Sequence, residues 1–464
     1  MQKGFVFDIN KCTGCSACRI ACRIENGLDP GMAWREVATF NPERIPHIPV
    51  FHHSLACNHC ADPPCQKSCP ASAYSKDPVT GAVILDTEAC IGCKYCSWAC
   101  PFDAPKLNRP LGVMEKCTFC NDRLHDGVEP ACVALCPTGA LRLEDKTPAR
   151  VNGVPGFPRS SVETAIRFVP LAEGRRSPDL SLPAPGVLAG DPRIVQGDRL
   201  NEKITLKTEW VLVVFSQIVA WLAGYAAAVL IAGARPHPVV FGMLGVLGLG
   251  VSALHLGKKE RILRAVLNWR RSWLSREVIL TSVFVVIGIF WLSAAPENRL
   301  MGLATVCAGM AGLFALDRVY HVTQGGRLNV HSAQTLITGL YAAALLGWNG
   351  GAMLAIGGLK LVSYLARKHR RWKAGIDARV GASVLRIVLG FAVPVGAWVW
   401  RPDDRLLPAV LCAAIGEAVD RFEFYLELDV PSPARQMSED LAGLIVNTRR
   451  ERAAPAHDGA APLS

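Results

Sequence analysis

Hydrophobic positions are spread unevenly along the chain. After Trp210 they gather into runs separated by short polar breaks, at about 210–234, 239–256, 278–295, 300–316, 333–348, 351–366, 380–400 and 406–425. Runs that approach the roughly 20 residues needed to cross a hydrocarbon core read as membrane helices. An all-α transmembrane bundle of about eight helices is therefore expected. Gly242, Gly245, Gly248 and Gly250 recur in one run, which suits close helix packing in lipid. Before Lys146 the pattern changes to short segments and many turns. Residues 1–8 alternate like a strand, with neither the apolar core nor the twin arginine of an export signal. So loop-rich a stretch cannot hold itself together by apolar burial alone and calls for covalent or metal support. Four regions follow: an α+β domain over 1–145, a Pro-rich strap over 146–205, a transmembrane region over 206–430, and a tail over 431–464 expected to be disordered beyond Arg449.

Composition narrows the class. Half the residues are hydrophobic and 19% are charged, which excludes a disordered chain. Of 18 cysteines, all but Cys307 and Cys412 fall between Cys12 and Cys136. The formal charge of +11 does not point to nucleic acid. Many of the basic residues sit between apolar runs, where they orient membrane helices.

The cysteines form four groups. The first is Cys12, Cys15, Cys18 and Cys22; the third, Cys90, Cys93, Cys96 and Cys100, repeats its spacing. The second is Cys57, Cys60, Cys65 and Cys69, and the fourth Cys117, Cys120, Cys132 and Cys136. All end in a Cys-x3-Cys step. A cubane cluster needs four soft thiolates in roughly tetrahedral array; a tight loop supplies three, and the fourth, three residues on, points to a neighbouring cube. Disulfides are disfavoured because three cysteines so close cannot all find partners with good geometry. Zinc explains Cys-x2-Cys pairs but not triplets. Four [4Fe–4S] clusters are expected.

The order of these groups, with Cys90-Ile-Gly-Cys-Lys-Tyr-Cys-Ser-Trp-Ala-Cys-Pro-Phe102 and Lys116-Cys-Thr-Phe-Cys-Asn-Asp-Arg123, resembles the four-cluster electron-transfer subunit of molybdopterin oxidoreductases. That family includes the dimethyl sulfoxide reductase, polysulfide reductase and cytoplasmic sulfite dehydrogenase complexes. The resemblance covers about residues 1–175 and implies a bis-ferredoxin-like fold. It also implies the cubes Cys12/Cys15/Cys18/Cys136, Cys117/Cys120/Cys132/Cys22, Cys57/Cys60/Cys65/Cys100 and Cys90/Cys93/Cys96/Cys69; spacing alone does not choose which groups pair.

In the membrane half, Leu254-His-Leu-Gly-Lys258, Asn268-Trp-Arg-Arg-Ser-Trp-Leu-Ser-Arg-Glu277 and Gly416-Glu-Ala-Val-Asp-Arg-Phe-Glu-Phe-Tyr425 resemble the anchor subunit of the dimethyl sulfoxide reductase group. Two subunits normally made separately are joined here. The last stretch places Glu417, Asp420, Arg421 and Tyr425 on one helical face. A charge near the bilayer centre costs about 2.5–3.5 kcal/mol on insertion scales and normally faces a partner or a cavity. Two readings stand: a structural ion pair holding the bundle, or a proton or quinone site. With His255 these four residues form the candidate quinone-reactive set, and Asn268, Arg276, Arg318 and Tyr320 are candidate binding residues. Trp269 and Trp273 read equally as interface anchors. Haem is not expected, since His237, His255, His321 and His331 lie mostly in loops or at helix ends.

Lys and Arg mark the sides. Loops after even-numbered runs carry Lys258, Lys259, Arg261, Arg264, Arg270, Arg271, Arg276, Arg318, Arg327, Arg367, Lys368, Arg370, Arg371, Lys373 and Arg379; the opposite side carries Arg235, Arg299, Arg401 and Arg405. The asymmetry predicts an inner-membrane protein with its cluster domain in the cytoplasm. The expected function is electron transfer between a separate molybdopterin catalytic subunit and membrane ubiquinone or menaquinone. A cytoplasm-facing sulfite dehydrogenase is favoured over a periplasm-facing sulfoxide or polysulfide reductase. A redox-coupled ion transporter and a membrane-tethered ferredoxin are the alternatives from other classes.

Overall fold

The computed structural model describes residues 2–172, 203–321, 331–373, 375, 379–400, 406–428 and 430–453. β1 (Gln2–Asp8) is followed by three two-stranded hairpins: β2 (Glu36–Phe40) with β3 (Phe51–Leu55), β4 (Tyr74–Lys76) with β5 (Val83–Leu85), and β6 (Lys106–Asn108) with β7 (Val113–Glu115). β8 (Leu141–Lys146) runs antiparallel to β1 and β9 (Ile166–Val169) parallel to it, closing a three-stranded sheet. Between them lie five short helices, α1 (Ala17–Glu25), α2 (Pro64–Ser68), α3 (Tyr95–Ala99), α4 (Asn121–His125) and α5 (Ala131–Ala134). Apart from α4, which follows directly on Cys120, each carries at least one cysteine of the four groups.

The described part of the strap belongs to this domain rather than spanning away from it. Phe157 stacks on Phe102 at 5.2 Å and meets Phe168 at 4.8 Å, so burial of these rings draws residues up to about 170 into the cluster domain. The rest of the expected strap, 173–202, lies outside the described residues.

The bundle comprises α6 (Leu206–Ala232), α7 (Pro238–Ala253), α8 (Trp273–Ala294), α9 (Arg299–His321), α10 (Thr335–Leu346), α11 (Gly350–Lys373), α12 (Val380–Val399) and α13 (Leu406–Glu427). They follow the eight hydrophobic runs in order. α6, α8, α9 and α12 are long and apolar enough to cross a membrane; α7 and α10 are apolar but shorter. α11 and α13 carry buried charges. α8 begins five residues before its apolar run because Ser272 caps it, its side chain accepting from the Ser275 amide.

The expected tail is corrected in part. Residues Pro433–Ala453 form a further helix, α14, which returns to the cluster domain. Met437 and Leu441 bury beside Phe40 and Phe157, and Asp440 accepts from the Gly156 amide at 2.8 Å and pairs with Arg159 at 2.5 Å. Residues 454–464 lie outside the described residues.

Candidate functional site

The first Cys-x2-Cys step of each of the four groups turns through a left-handed residue just before its second cysteine: Gly14 (φ 73°), His59 (φ 42°), Gly92 (φ 68°) and Phe119 (φ 69°). The turn folds the thiols inward around one space. For Phe119 and His59 this conformation carries strain, of the kind that persists where function over-determines the backbone. Cys12, Cys15, Cys18 and Cys136 line one small cavity, and Cys57, Cys60, Cys65 and Cys100 another. Cys132 and Cys120 act electrostatically on Cys22, and Cys22, Cys57 and Cys132 on Cys117. Cys93 and Cys96 neighbour Cys69 and Cys90. The structure thus gathers first with fourth group and second with third.

These residues fit iron–sulfur cubes. Amides of Ala73, Gly92, Met114 and Phe119 donate to Cys69, Cys90, Cys90 and Cys117, each at 3.4 Å, the bonds that stabilise sulfur carrying negative charge. Burial pushes the Cys22 thiol up to about 12, with the Arg35 charge opposing it and the neighbouring thiolates reinforcing it. Such a thiol is deprotonated at neutral pH by metal.

The group Cys69/Cys90/Cys93/Cys96 faces the membrane helices. The connection from Leu254 to Ser272 cradles it: the Lys258 amide donates to Ile91 O at 3.1 Å, Asn268 Nδ2 to Cys69 O at 2.8 Å, the Asn268 amide to Pro70 O at 3.0 Å, and Ser272 Oγ to Ser68 O at 2.7 Å. Arg261 reaches Thr87 O and Cys90 O, and Lys94 pairs with the buried Glu209 of α6. Gly92, Gly112 and Gly257 meet backbone to backbone, so none of them has room for a side chain.

Beneath this contact a narrow cavity is lined by Cys93, Tyr95 and Trp98 above and by His255, Glu277 and Tyr320 below. His255 Nδ1 is held by Ser252 O, which leaves Nε2 for other partners. Tyr320 shares a hydrogen bond with Tyr425. The Arg421 guanidinium lies 4.9 Å from the Tyr320 ring and 5.4 Å from that of Tyr425, donates to Ala333 O at 3.2 Å, and keeps Nε and Nη2 without partners. The chamber therefore places titratable groups within one cavity wall of a cluster cysteine.

Glu417 and Asp420 are elsewhere, and the expectation that they share one surface with His255 is corrected. Glu417 pairs with Arg386 of α12 at 2.6 Å and Lys360 of α11 at 2.9 Å, and accepts from Thr338 at 2.9 Å. Asp420 pairs with Arg367 at 2.9 Å and accepts from Ser332 at 2.9 Å. Glu423 and Glu427 continue the series through Lys368, at 2.6 and 3.2 Å. The reason is angular: at 3.6 residues per turn, positions 417, 420, 421 and 425 spread over about 140° of α13, wide enough to address two sets of helices. α12 winds through a π-turn at Val388–Ala392 beside this network, and Tyr341 takes up the Gly390 carbonyl at 2.7 Å.

The other expected residues separate as well. Asn268 docks the cluster domain. Arg276 bonds Trp269 O at 2.9 Å and covers the Trp273 ring at 4.4 Å, outside the chamber. Arg318 opens onto a neighbouring cleft with Trp98, Trp273 and His321. Sequence reasoning missed Glu277, Glu209, Lys360 and Arg386; Lys360 and Arg386 are the lone charges within the apolar runs 351–366 and 380–400, which was the available signal for those two.

Comparison with known proteins agrees with this division. Residues 48–146 match the family described as a 4Fe-4S dicluster domain, and residues 210–386 that described as DMSO reductase anchor subunit (DmsC). Over 148 residues the protein is 40% identical to one polypeptide of the anaerobic dimethyl sulfoxide reductase of Escherichia coli K12, covering 30% of this sequence and 72% of the relative. Over 187 residues it is 37% identical to a sulfite dehydrogenase subunit of Allochromatium vinosum (36% and 74%). Over 146 residues it is 41% identical to the thiosulfate reductase electron transfer subunit PhsB of Salmonella typhi (31% and 75%). An iron–sulfur part of the one kind thus continues into an anchor of the other, and the protein belongs to the family of dimethyl sulfoxide reductase-type electron-transfer subunits of oxidoreductase complexes, with its membrane anchor in the same polypeptide.

Proposed function

We propose that this protein carries electrons between a molybdopterin catalytic subunit and membrane quinone, with quinone reacting in the chamber bounded by Cys93, His255, Glu277 and Tyr320. The observation that carries the reading is that a cluster cysteine and the buried titratable groups of the bundle line one cavity. When bound, four [4Fe–4S] cubes supply one-electron steps across the domain. The protein does the rest. Reducing a quinone takes two electrons and two protons; His255 and Glu277 hold or release protons at its oxygens, and Tyr320 and Arg421 offer donors. The docking bonds from Lys258, Asn268 and Ser272 hold this geometry fixed.

The Cys12/Cys15/Cys18/Cys136 group lies at the other end of the relay. Cys15 is exposed, and Ile20 and Ile24 of α1 are 56% and 77% exposed beside it, which suits docking of the catalytic partner. The Lys- and Arg-rich loop of the bundle, Lys258–Arg276, touches the cluster domain, which supports a cytoplasmic cluster domain and a sulfite-oxidising, quinone-reducing complex. The test uses the purified complex with its catalytic partner. His255→Asn, Glu277→Gln and Tyr320→Phe should each lower quinone turnover at least tenfold while the clusters are still reduced through the partner. Wild-type turnover in all three overturns the placement.

A further inference from the structure

Arg35 is among the largest fully buried side chains, 1% exposed, in the middle of the cluster domain. Burying a charge is costly unless an opposite charge and enough acceptors accompany it. Its surroundings supply few. Nη1 donates to Ser54 O at 3.2 Å and Ser54 Oγ at 3.0 Å, while Nε and Nη2 have no hydrogen-bond partner. The Cζ atom lies 4.6 Å from the centre of the Phe5 ring. Among the described residues no carboxylate pairs with it.

The anions that do surround Arg35 are sulfurs. Cys132, Cys18, Cys117 and Cys22 are the sulfurs whose charge acts on it most strongly, and Ser54 Oγ, its acceptor, lies 3.2 Å from Cys18 Sγ. Cys18 belongs to the first set of thiols; Cys22, Cys117 and Cys132 belong to the second. The guanidinium therefore sits between two cube sites and can be balanced only by them.

We propose that Arg35 is the fixed counter-ion shared by the Cys12/Cys15/Cys18/Cys136 and Cys22/Cys117/Cys120/Cys132 cubes, and that it holds up the reduction potentials of both. The proposal rests on the four-cluster reading above. An added electron makes a cube more negative, and a nearby positive charge in a low-dielectric interior favours that form. Only an electron is exchanged; Arg35 keeps its proton throughout. As a positioning residue it acts on the relay without touching quinone or the catalytic partner's substrate.

The experiment compares wild type, Arg35→Met and Arg35→Lys in the full complex by iron and sulfide analysis and by redox titration followed by electron paramagnetic resonance. In Arg35→Met two of the four cluster signals should shift to lower potential by at least a tenfold change in the reduced-to-oxidised ratio, about 59 mV for a one-electron couple. The other two should stay in place, and Arg35→Lys should recover most of the shift. Four unmoved potentials, or four shifted equally, overturn the proposal. Should Arg35→Met fail to assemble, Ser54→Ala, which removes the hydroxyl lying between the guanidinium and Cys18 while leaving the backbone bond, should move the same two signals, and unmoved signals there also overturn it. Wild-type protein with about eight irons per chain instead of about sixteen would remove the four-cluster reading itself.

Discussion

Replacing Gly257 by alanine tests whether the contact between cluster domain and bundle is the electron path. A methyl group at Gly257 would fall 2.7 Å from the Gly112 carbonyl carbon and 3.1 Å from its Cα, and closer still to its oxygen. Carbon–carbon contacts settle at about 3.5–4.0 Å, so the two backbones must part by about 1 Å. Neither can swing aside, since Gly92 packs against the same pair and the Lys258 amide is bonded to Ile91 O. Overpacking of this kind costs about 1–3 kcal/mol, which leaves the protein folded. A misplacement of about 1 Å near reacting groups can lower a rate by about 100-fold. Gly257→Ala should therefore retain its iron, accept electrons from the catalytic partner and turn over quinone roughly 10- to 100-fold more slowly, in stopped-flow records of cluster reduction and reoxidation. Reoxidation at the wild-type rate would refute the argument that electrons cross here.

Two further outcomes follow. Glu417→Gln leaves Arg386 and Lys360 facing one neutral side chain, and breaking a buried pair this way costs about 3–5 kcal/mol. Thermal unfolding in detergent should register that loss, while the double change Lys360→Met, Glu417→Leu should recover part of it; equal stability of wild type and Glu417→Gln would show that the network does not hold α11, α12 and α13 together. Reporter fusions after Arg235 and after Ala374 should report opposite sides of the membrane, the second inside; an outside signal at Ala374 would place the cluster domain in the periplasm.

The iron–sulfur part was legible because its chemistry is local. Cysteines two and three residues apart leave few alternatives, and the left-handed turns at Gly14 and Gly92 fall where the spacing requires them. The pairing of groups was not local: it depends on chain reversals between Cys22 and Cys132, which no spacing encodes. In the bundle, helix existence followed from hydropathy, yet helix faces did not. Asp420 and Arg421 are adjacent in sequence and serve different neighbours, a distinction that appears only once α9, α11 and α12 are in place. His255 was found by resemblance and Tyr320 by its place at the close of the fourth run, whereas Glu277 was passed over although it is the one acid in α8. Asn268 drew attention for the wrong duty, because a side chain that bonds carbonyls of another domain looks, in sequence, like one that bonds a ligand.

α14 gives the protein an order of manufacture. The hydrogen bond from Gly156 to Asp440 joins positions 284 residues apart, and the buried Met437 and Leu441 cover a surface made of residues synthesised near the start. At ribosomal speeds of about 5–20 residues per second, the cluster domain waits for tens of seconds, with the flank around Phe40 and Phe157 uncovered, while eight helices enter the membrane. Only a polypeptide translated through α14 closes that flank, so completion of the membrane half is recorded on the surface of the soluble half. A polypeptide that stops within the bundle leaves the surface beside Phe40 and Phe157 without Met437 and Leu441 to cover it.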